Sequence, residues 1–370
     1  MSERARSLSW VVAGGGTGGH VTPALALAEC IAERGDSVLF MGSERGLERK
    51  LVPQAGFELV ALPAQQIMGR GALGRLAAVP GMLRSCAAAW RLLAERGTDV
   101  VVSVGGYASV PAVVAARLRR VPVALVEPNA IPGRANRAAA RFAQRIYVQF
   151  EAAAAVFARS ASRDRIREWG IPLRQQLLRA FAANAPRRTP EAPFRLLVFG
   201  GSQGAKQINE TMMEVAARLD PSLLTVFHQT GAADRERVAD AYAKAGIRAE
   251  VVDFSHDMPA RYAWADLALC RSGALTVAEL ALAGLPALLV PYPYAADDHQ
   301  TANARSLADV GAARVFDSQT FTADGLEQTL TELFEAPASL AAMSTAAAKL
   351  ARPDAARRII DDCAALPAGR

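Results

Sequence analysis

Glycine turns at two places constrain this chain more than any other feature. Residues 14–19 read Gly-Gly-Gly-Thr-Gly-Gly, and residues 200–204 read Gly-Gly-Ser-Gln-Gly. Each follows a short apolar run, WVVA at 10–13 or LLVF at 196–199, and each leads into a stretch with helical character. A strand, a glycine turn and a helix start make an anion site, because free backbone N–H groups and the helix dipole point at the loop. Two such units predict two similar domains facing a shared cleft, with phosphate-bearing ligands on both sides.

The rest of the chain fits that picture. A length of 370 residues suits two domains. With 51% hydrophobic and 21% charged residues, there is apolar material for two cores and too much for a disordered chain. The first half alternates strands at 10–13, 38–41, 100–104, 121–126 and 146–150 with helices such as 23–33 and 110–119. A proline-rich stretch at 182–193 reads as linker or loop. The pattern then restarts, with strands at 195–199, 224–227, 250–254, 267–270, 287–290 and 313–316. Continuous apolar strands separated by helices imply parallel sheets covered on both faces. The fold class expected is α/β: two tandem Rossmann-like doubly wound domains with an interdomain cleft. Ligands of such sheets bind at the carboxyl ends of strands, so the loops after strands carry the chemistry.

The net charge of +6 suits phosphate-bearing substrates or an anionic membrane surface. Nucleic acid is not expected, since no Lys/Arg block interleaves with aromatics and no zinc-finger spacing occurs. The four cysteines (Cys30, Cys86, Cys270 and Cys363) are scattered without metal-ligand spacing and read as buried thiols of a reducing compartment. No apolar stretch is long and uncharged enough to span a membrane, and the N-terminus lacks secretory character.

Several loops after strands hold chemical groups. The first contains Gly14-x-Gly16-x-x-Gly19, formally a dinucleotide fingerprint, but its acidic partner Glu44 comes late. His20 argues instead for transfer to a hydroxyl, because an imidazole near neutral pKa removes the proton as the bond forms. Capping or packing is the competing role for His20. Gly105, Gly106 and Tyr107 form a second turn. Glu127 ends a buried strand and faces the same crevice; it is either a catalytic carboxylate beside His20 or a charge that fixes a helix start or loop. In the second half, 270–279 reads as strand, glycine turn and helix start, with Glu279 placed for a ribose diol. Residues 291–303 crowd polar groups that suit sugar hydroxyls. The adjacent Asp297 and Asp298 lack a third ligand, so no metal site is expected. All four histidines (His20, His228, His256 and His299) fall at strand ends or loops, which favours the cleft over the core.

These blocks together resemble a known family over nearly the whole chain. They are GGGTGGHVTPALALAE at 14–29, GGY at 105–107, EPNAIPGRAN at 127–136, GGSQGAKQIN at 200–209, YAWADLALCRSGALTVAE at 262–279 and PYPYAADDHQTAN at 291–303. The family is the bacterial UDP-N-acetylglucosamine:lipid I N-acetylglucosaminyltransferases of cell-wall synthesis, the MurG family. The resemblance implies a glycosyltransferase fold of the B type. Its acceptor and membrane-facing domain would span 1–174 and be rejoined by a C-terminal helix at 353–370. Its donor domain would span 175–352. It implies inverting transfer from UDP-N-acetylglucosamine to the muramoyl 4-hydroxyl of undecaprenyl-linked lipid I, giving lipid II. No tightly bound cofactor is implied, and assistance by a divalent cation stays open.

The family's residue roles carry over as expectations. His20 is the base, with Glu127 as the second catalytic candidate. The donor is met by Thr17, Gly18, Gly19 and Asn129 on the sugar side and by Arg174 and Ser202 on UDP. Ser255 lies at the uracil, Ala274, Leu275, Thr276 and Glu279 at the phosphate and ribose, and His299 and Gln300 at the sugar hydroxyls. The acceptor is met by Gly15, Gly16, Gly105, Gly106 and Tyr107. A lipid-linked acceptor implies a peripheral place on the cytoplasmic face of the inner membrane. The expected contact surface is Ile67, Leu73, Leu76, Val79 and Leu83 with Arg75 and Arg84, apolar residues ringed by arginine. The competing readings are a lipid glycosyltransferase with another acceptor, a sugar-nucleotide epimerase on the same scaffold, and a nucleotide-sugar-binding subunit without catalysis.

Overall fold

The computed structural model describes residues 6–44, 46–63, 72–182, 187–201 and 204–367. The chain forms two compact units, Met1–Gln175 with Arg352–Arg370, and Gln176–Ala351. In the first unit the order is β1 (Ser9–Gly14), α1 (Gly18–Glu33), β2 (Ser37–Ser43), α2 (Glu48–Gln54), β3 (Glu58–Leu62), α3 (Ala72–Glu95), β4 (Val100–Gly105), α4 (Val110–Leu118), β5 (Val123–Glu127), α5 (Arg134–Ala139), β6 (Arg145–Val148), α6 (Glu151–Phe157) and β7 (Ile166–Arg167). After α7 (Gln175–Phe181) the second unit runs β8 (Phe194–Phe199), α8 (Lys206–Ala216), β9 (Leu224–Gln229), α9 (Arg235–Lys244), β10 (Arg248–Val252), α10 (Met258–Trp264), β11 (Leu267–Cys270), α11 (Ala274–Ala283), β12 (Ala287–Leu289), α12 (His299–Ala308), β13 (Ala313–Val315), α13 (Ala323–Glu335) and α14 (Pro337–Ala348). The last helix, α15 (Ala355–Ala364), belongs to the first unit.

Both sheets are parallel throughout and ordered as doubly wound sheets. The first runs β3-β2-β1-β4-β5-β6-β7 and the second β10-β9-β8-β11-β12-β13. Strand order reverses between β1 and β4 in one and between β8 and β11 in the other. A crevice opens at the carboxyl end of such a reversal. All four glycine-bearing turns lie at these two points, which is how the fold positions the site.

Apolar layers lie on both faces of the first sheet. One holds Leu93, Ala112, Phe157 and Ile166; the other holds Trp10, Leu27, Ile31 and Tyr147, closed by Ile359, Ile360 and Cys363 of α15. Tyr147 Oη donates to Asp362 Oδ2 (2.8 Å) and Arg145 Nε to the same oxygen (3.0 Å), anchoring α15 to β6. In the second unit Phe194 stacks on Phe334 with centroids 4.4 Å apart. The two strands that the sequence pattern misses are β3 and β7. The first is a half-buried edge strand and the second only two residues long, so neither shows a clear alternation.

Candidate active site

In the first unit β1 and β4 deliver their two glycine turns side by side. The register shifts at Ala13/Gly14, so Ala13 faces Ser103 and Gly14 faces Gly105, with Val104 as the extra residue. Such a bulge re-aims the end of a strand. Gly106, at φ +78°, lies so near Gly15 that a Cβ would sit 2.8 Å from the Gly15 carbonyl oxygen. Only glycine fits there.

His20 stands in the first turn of α1, half-buried, with Nδ1 3.2 Å from Thr17 Oγ1. The tautomer decides what this contact means. If Nδ1–H donates to Thr17, the Nε2 lone pair is the basic site, and the ring is oriented by a hydroxyl much as other catalytic imidazoles are oriented by a second group. Thr17 is the N-cap of α1 but makes no side-chain cap bond, and its carbonyl accepts from His20 N (3.1 Å). Tyr107 Oη donates to Ser43 Oγ (3.2 Å), which fixes the phenol against the end of β2.

Glu127 is placed otherwise than a catalytic carboxylate needs. It is 1% exposed. Oε1 accepts from Asn129 N (3.0 Å) and Asn129 Nδ2 (3.3 Å), and Oε2 from Gly133 N (2.9 Å) and Asn136 Nδ2 (3.0 Å). Burial pushes its pKa up while these four donors pull it back. The carboxylate therefore ties the 128–133 loop to the sheet and orients Asn129, the side chain expected at the donor sugar. Arg174 Nε pairs with Glu29 Oε1 of α1 (2.6 Å), and Gln175 N donates to Glu29 Oε2 (3.1 Å), so this end of the first unit is pinned to α1.

The second unit carries its own cradle of turns. After β8 the turn uses Gly201 at φ +103° and Gly204 at φ +74°; a Cβ on Gly204 would collide with the Thr230 carbonyl. Ser202 lies outside the described residues. After β11, Gly273 is the N-cap of α11 and supplies no side-chain acceptor, so Ala274, Leu275 and Thr276 open the helix beside β8. Glu279 follows on the same helix. Its Oε2 accepts from Tyr262 Oη (2.7 Å), and burial raises its pKa to about 7. Ser255 is buried, and its N donates to Gln229 Oε1 (2.9 Å), which leaves the carbonyl as its backbone group for a ligand. Gln300 Oε1 accepts from Tyr292 N (2.9 Å), while His299 opens α12 after Asp297 and Asp298, both left-handed at φ +53° and +52°.

A cavity of about 780 Å³, in the range of small-ligand sites, is lined by Gly200, Lys206, Gln207, Arg271, Tyr292 and Gln300, among others. Arg271 was not among the residues singled out from sequence. Its guanidinium donates to Val290 O (3.0 Å) and Pro291 O (3.1 Å) and lies 5.6 Å from the Tyr292 ring centroid. Its place in Cys-Arg-Ser-Gly, directly after a strand, was the available signal. Gln229 was also missed: besides its bond to Ser255, Nε2 donates to Gly201 O (2.9 Å), so one side chain joins two turns of the cradle.

His228 corrects the expectation that the histidines favour the cleft. It is wholly buried, with Nδ1 2.9 Å from Tyr242 Oη and Nε2 3.1 Å from Asn209 Oδ1. Desolvation lowers its pKa to about 3, so it stays neutral and braces β9.

Of the surface expected to meet a membrane, Ile67 lies outside the described residues, as do the side chains of Leu73, Arg75 and Leu76. Farther along α3, Val79, Leu83 (65% exposed) and Trp90 present an apolar face, with Arg84 and Arg91 exposed beside it. The Arg119 guanidinium lies 3.7 Å from the Trp90 ring centroid. Among the described residues no helix is long and apolar enough to cross a membrane, and no group of three metal-ligating side chains occurs.

Comparison with known proteins bears on the whole chain. Residues 10–148 match the glycosyltransferase family 28 N-terminal domain and residues 195–359 its C-terminal domain. The chain is 41% identical over 357 residues to a Myxococcus xanthus protein named UDP-N-acetylglucosamine--N-acetylmuramyl-(pentapeptide) pyrophosphoryl-undecaprenol N-acetylglucosamine transferase, covering 95% of this chain and 91% of that one. It superposes on the crystal structure of Acinetobacter baumannii MurG with a TM-score of 0.80 at 32% identity, covering 97% and 100% of the two chains. A UDP-GlcNAc 2-epimerase from Neisseria meningitidis shares the fold, with a TM-score of 0.66 at 14% identity and 96% and 99% coverage.

Proposed function

Since the chain belongs to glycosyltransferase family 28, and within it to the N-acetylglucosamine transferases of the MurG family, we propose that it moves N-acetylglucosamine from UDP-N-acetylglucosamine to the 4-hydroxyl of the muramoyl sugar of lipid I. The product is lipid II, the peptidoglycan precursor. The acceptor oxygen attacks the anomeric carbon from the face opposite UDP, the bond to the β-phosphate breaks, and the configuration inverts. The hydroxyl proton passes to His20 Nε2 and the bond electrons leave on UDP.

Two charges therefore need support, as in glycosyl transfer generally. The imidazole meets the first; a positioned base of this kind contributes ~10²–10⁴-fold. For the second, the dipole of α11 favours the diphosphate, and Lys206 and Arg271 line a cavity with Gly200 and Gly204. Glu279 accepts from the ribose hydroxyls and Ser255 borders the uracil. Glu127 holds Asn129 for the sugar and is a positioning group in this scheme. No resident cofactor takes part; a divalent cation accompanying the diphosphate is compatible with it. The acceptor's lipid is reached from the cytoplasmic face of the inner membrane through the Val79, Leu83 and Trp90 face of α3, whose arginines suit anionic headgroups.

The observation that carries this reading is His20 held by Thr17 at the strand-order reversal of the first sheet. Purified protein given UDP-N-acetylglucosamine should release UDP only when lipid I is present. Release with diacylglycerol in its place, or an epimerised nucleotide sugar formed without acceptor, overturns the assignment.

A further inference from the structure

We propose that Glu48 is a positioning residue for transfer, the buried carboxylate that sets the shape of the glycine loop carrying His20. The inference rests on the transferase reading and goes beyond it. Glu48 opens α2 and is 1% exposed. Oε2 accepts from Gly16 N (2.9 Å), and Oε1 accepts from Ser43 N (2.8 Å) and Ser43 Oγ (2.7 Å). Tyr107 Oη in turn donates to Ser43 Oγ (3.2 Å). One carboxylate thus ties the turn after β1, the end of β2 and the turn after β4.

Three glycines make room for it. A Cβ on Gly15, Gly42 or Gly46 would run into the Glu48 side chain, so a larger residue at any of them would push the carboxylate out of place. Among the described residues no arginine or lysine pairs with Glu48. Its charge is met by two amides and a hydroxyl, short charge-assisted bonds that weaken steeply with displacement. A second tie, Leu47 N to Gly16 O (3.4 Å), closes the loop from the other side. The Gly16 amide, which an anion cradle would offer to a ligand, is spent on the protein's own carboxylate. The first glycine turn is therefore rigid before substrate arrives. His20 lies four residues beyond Gly16, at the end of that fixed segment.

The test is Glu48→Gln. The carboxamide keeps the shape but turns an N–H end toward either Gly16 N or the Ser43 donors, so one bond becomes a clash of donors. With lipid I and UDP-N-acetylglucosamine, well below the variant's melting temperature, kcat should fall about 10- to 100-fold, as expected for displacement of a base by a fraction of an ångström. The Kd for UDP should stay within about twofold, since the nucleotide cradle is in the other unit. A role in stability alone would move the melting temperature and leave kcat at low temperature intact. Ser43→Ala removes the bond from the hydroxyl to Glu48 and the one it accepts from Tyr107, and should lower kcat about two- to fivefold with the Kd for UDP unchanged. If Glu48→Gln does not fold, Ser43→Ala decides. A kcat within twofold of wild type in whichever folded variant is decisive, or a loss matched by weakened UDP binding, overturns the proposal. Wild type that releases no UDP with lipid I counts against the transferase reading itself.

Discussion

Glu279 gives the chain a stability that depends on pH in an unusual direction. Its carboxyl titrates near 7 in the folded protein against an ordinary value of 4.5, because burial outweighs the hydrogen bond from Tyr262. Below pH 4.5 the group is protonated whether the chain is folded or unfolded, and no stability is lost. Between 4.5 and about 7 the folded state holds the proton longer, so stability declines as pH rises, and the full cost is present above 7. That interval corresponds to about 3 kcal/mol, and partial solvent access to the side chain brings the expectation to about 1–3 kcal/mol. Glu279→Gln removes the charge while its carbonyl still accepts from Tyr262. The variant should melt close to wild type at pH 5 and several degrees higher at pH 8, at about 2–4 °C per kcal/mol for a unit of this size. The same substitution should raise KM for UDP-N-acetylglucosamine about tenfold, because a ribose diol loses a charged acceptor. Wild-type donor affinity should weaken below pH 7, with a proton released on binding. Calorimetric melting at the two pH values checks the argument. A stability difference that does not change with pH, or a variant less stable at pH 8, refutes it.

His20→Ala should cut kcat by about 10²–10⁴-fold while UDP-N-acetylglucosamine affinity, measured by calorimetry, stays within twofold; unchanged turnover removes the imidazole from the base role. Gln229→Ala unties the Gly201 turn from the Ser255 loop, so donor KM should rise about fivefold with little change in kcat, a result read from steady-state kinetics. Leu76→Glu combined with Leu83→Glu should abolish flotation with liposomes containing anionic lipid and leave turnover of a short-chain soluble acceptor intact; flotation equal to wild type refutes the membrane face.

The sheet architecture was legible because the buried parallel strands are continuous apolar runs, those at the two reversals followed by glycine turns, and such runs need no partner to be recognised. The cradle of the second unit was legible for the same reason: Gly273 and Glu279 stand at fixed distances from the end of β11. Glu48 was not. In sequence it is one acid among Glu44, Arg45, Arg49 and Lys50, a surface-like cluster, and only the fold places it against Gly15, Gly42 and Gly46. Glu44, the residue that a dinucleotide fingerprint would use, is exposed at the end of β2. Glu127 shows the limit from the other side. Its position at a strand end was readable, but four converging donors are a tertiary fact, and they separate a carboxylate that positions a loop from one that moves a proton.

The two glycine turns began as equivalent anion sites, and the structure makes them unlike. Behind the first lies Glu48, a negative charge that consumes the Gly16 amide and holds Ser43 and Tyr107. Beside the second lie Lys206 and Arg271, positive groups lining one cavity with Gly200 and Gly204. The same backbone motif thus does opposite electrostatic work. The nucleotide's diphosphate is favoured on the side where the cations gather. That asymmetry explains why a chain with two dinucleotide-like turns needs only one nucleotide. The first turn, held by Glu48, serves as a rigid mount for a base, and rigidity is what a group 3 Å from a reacting oxygen requires.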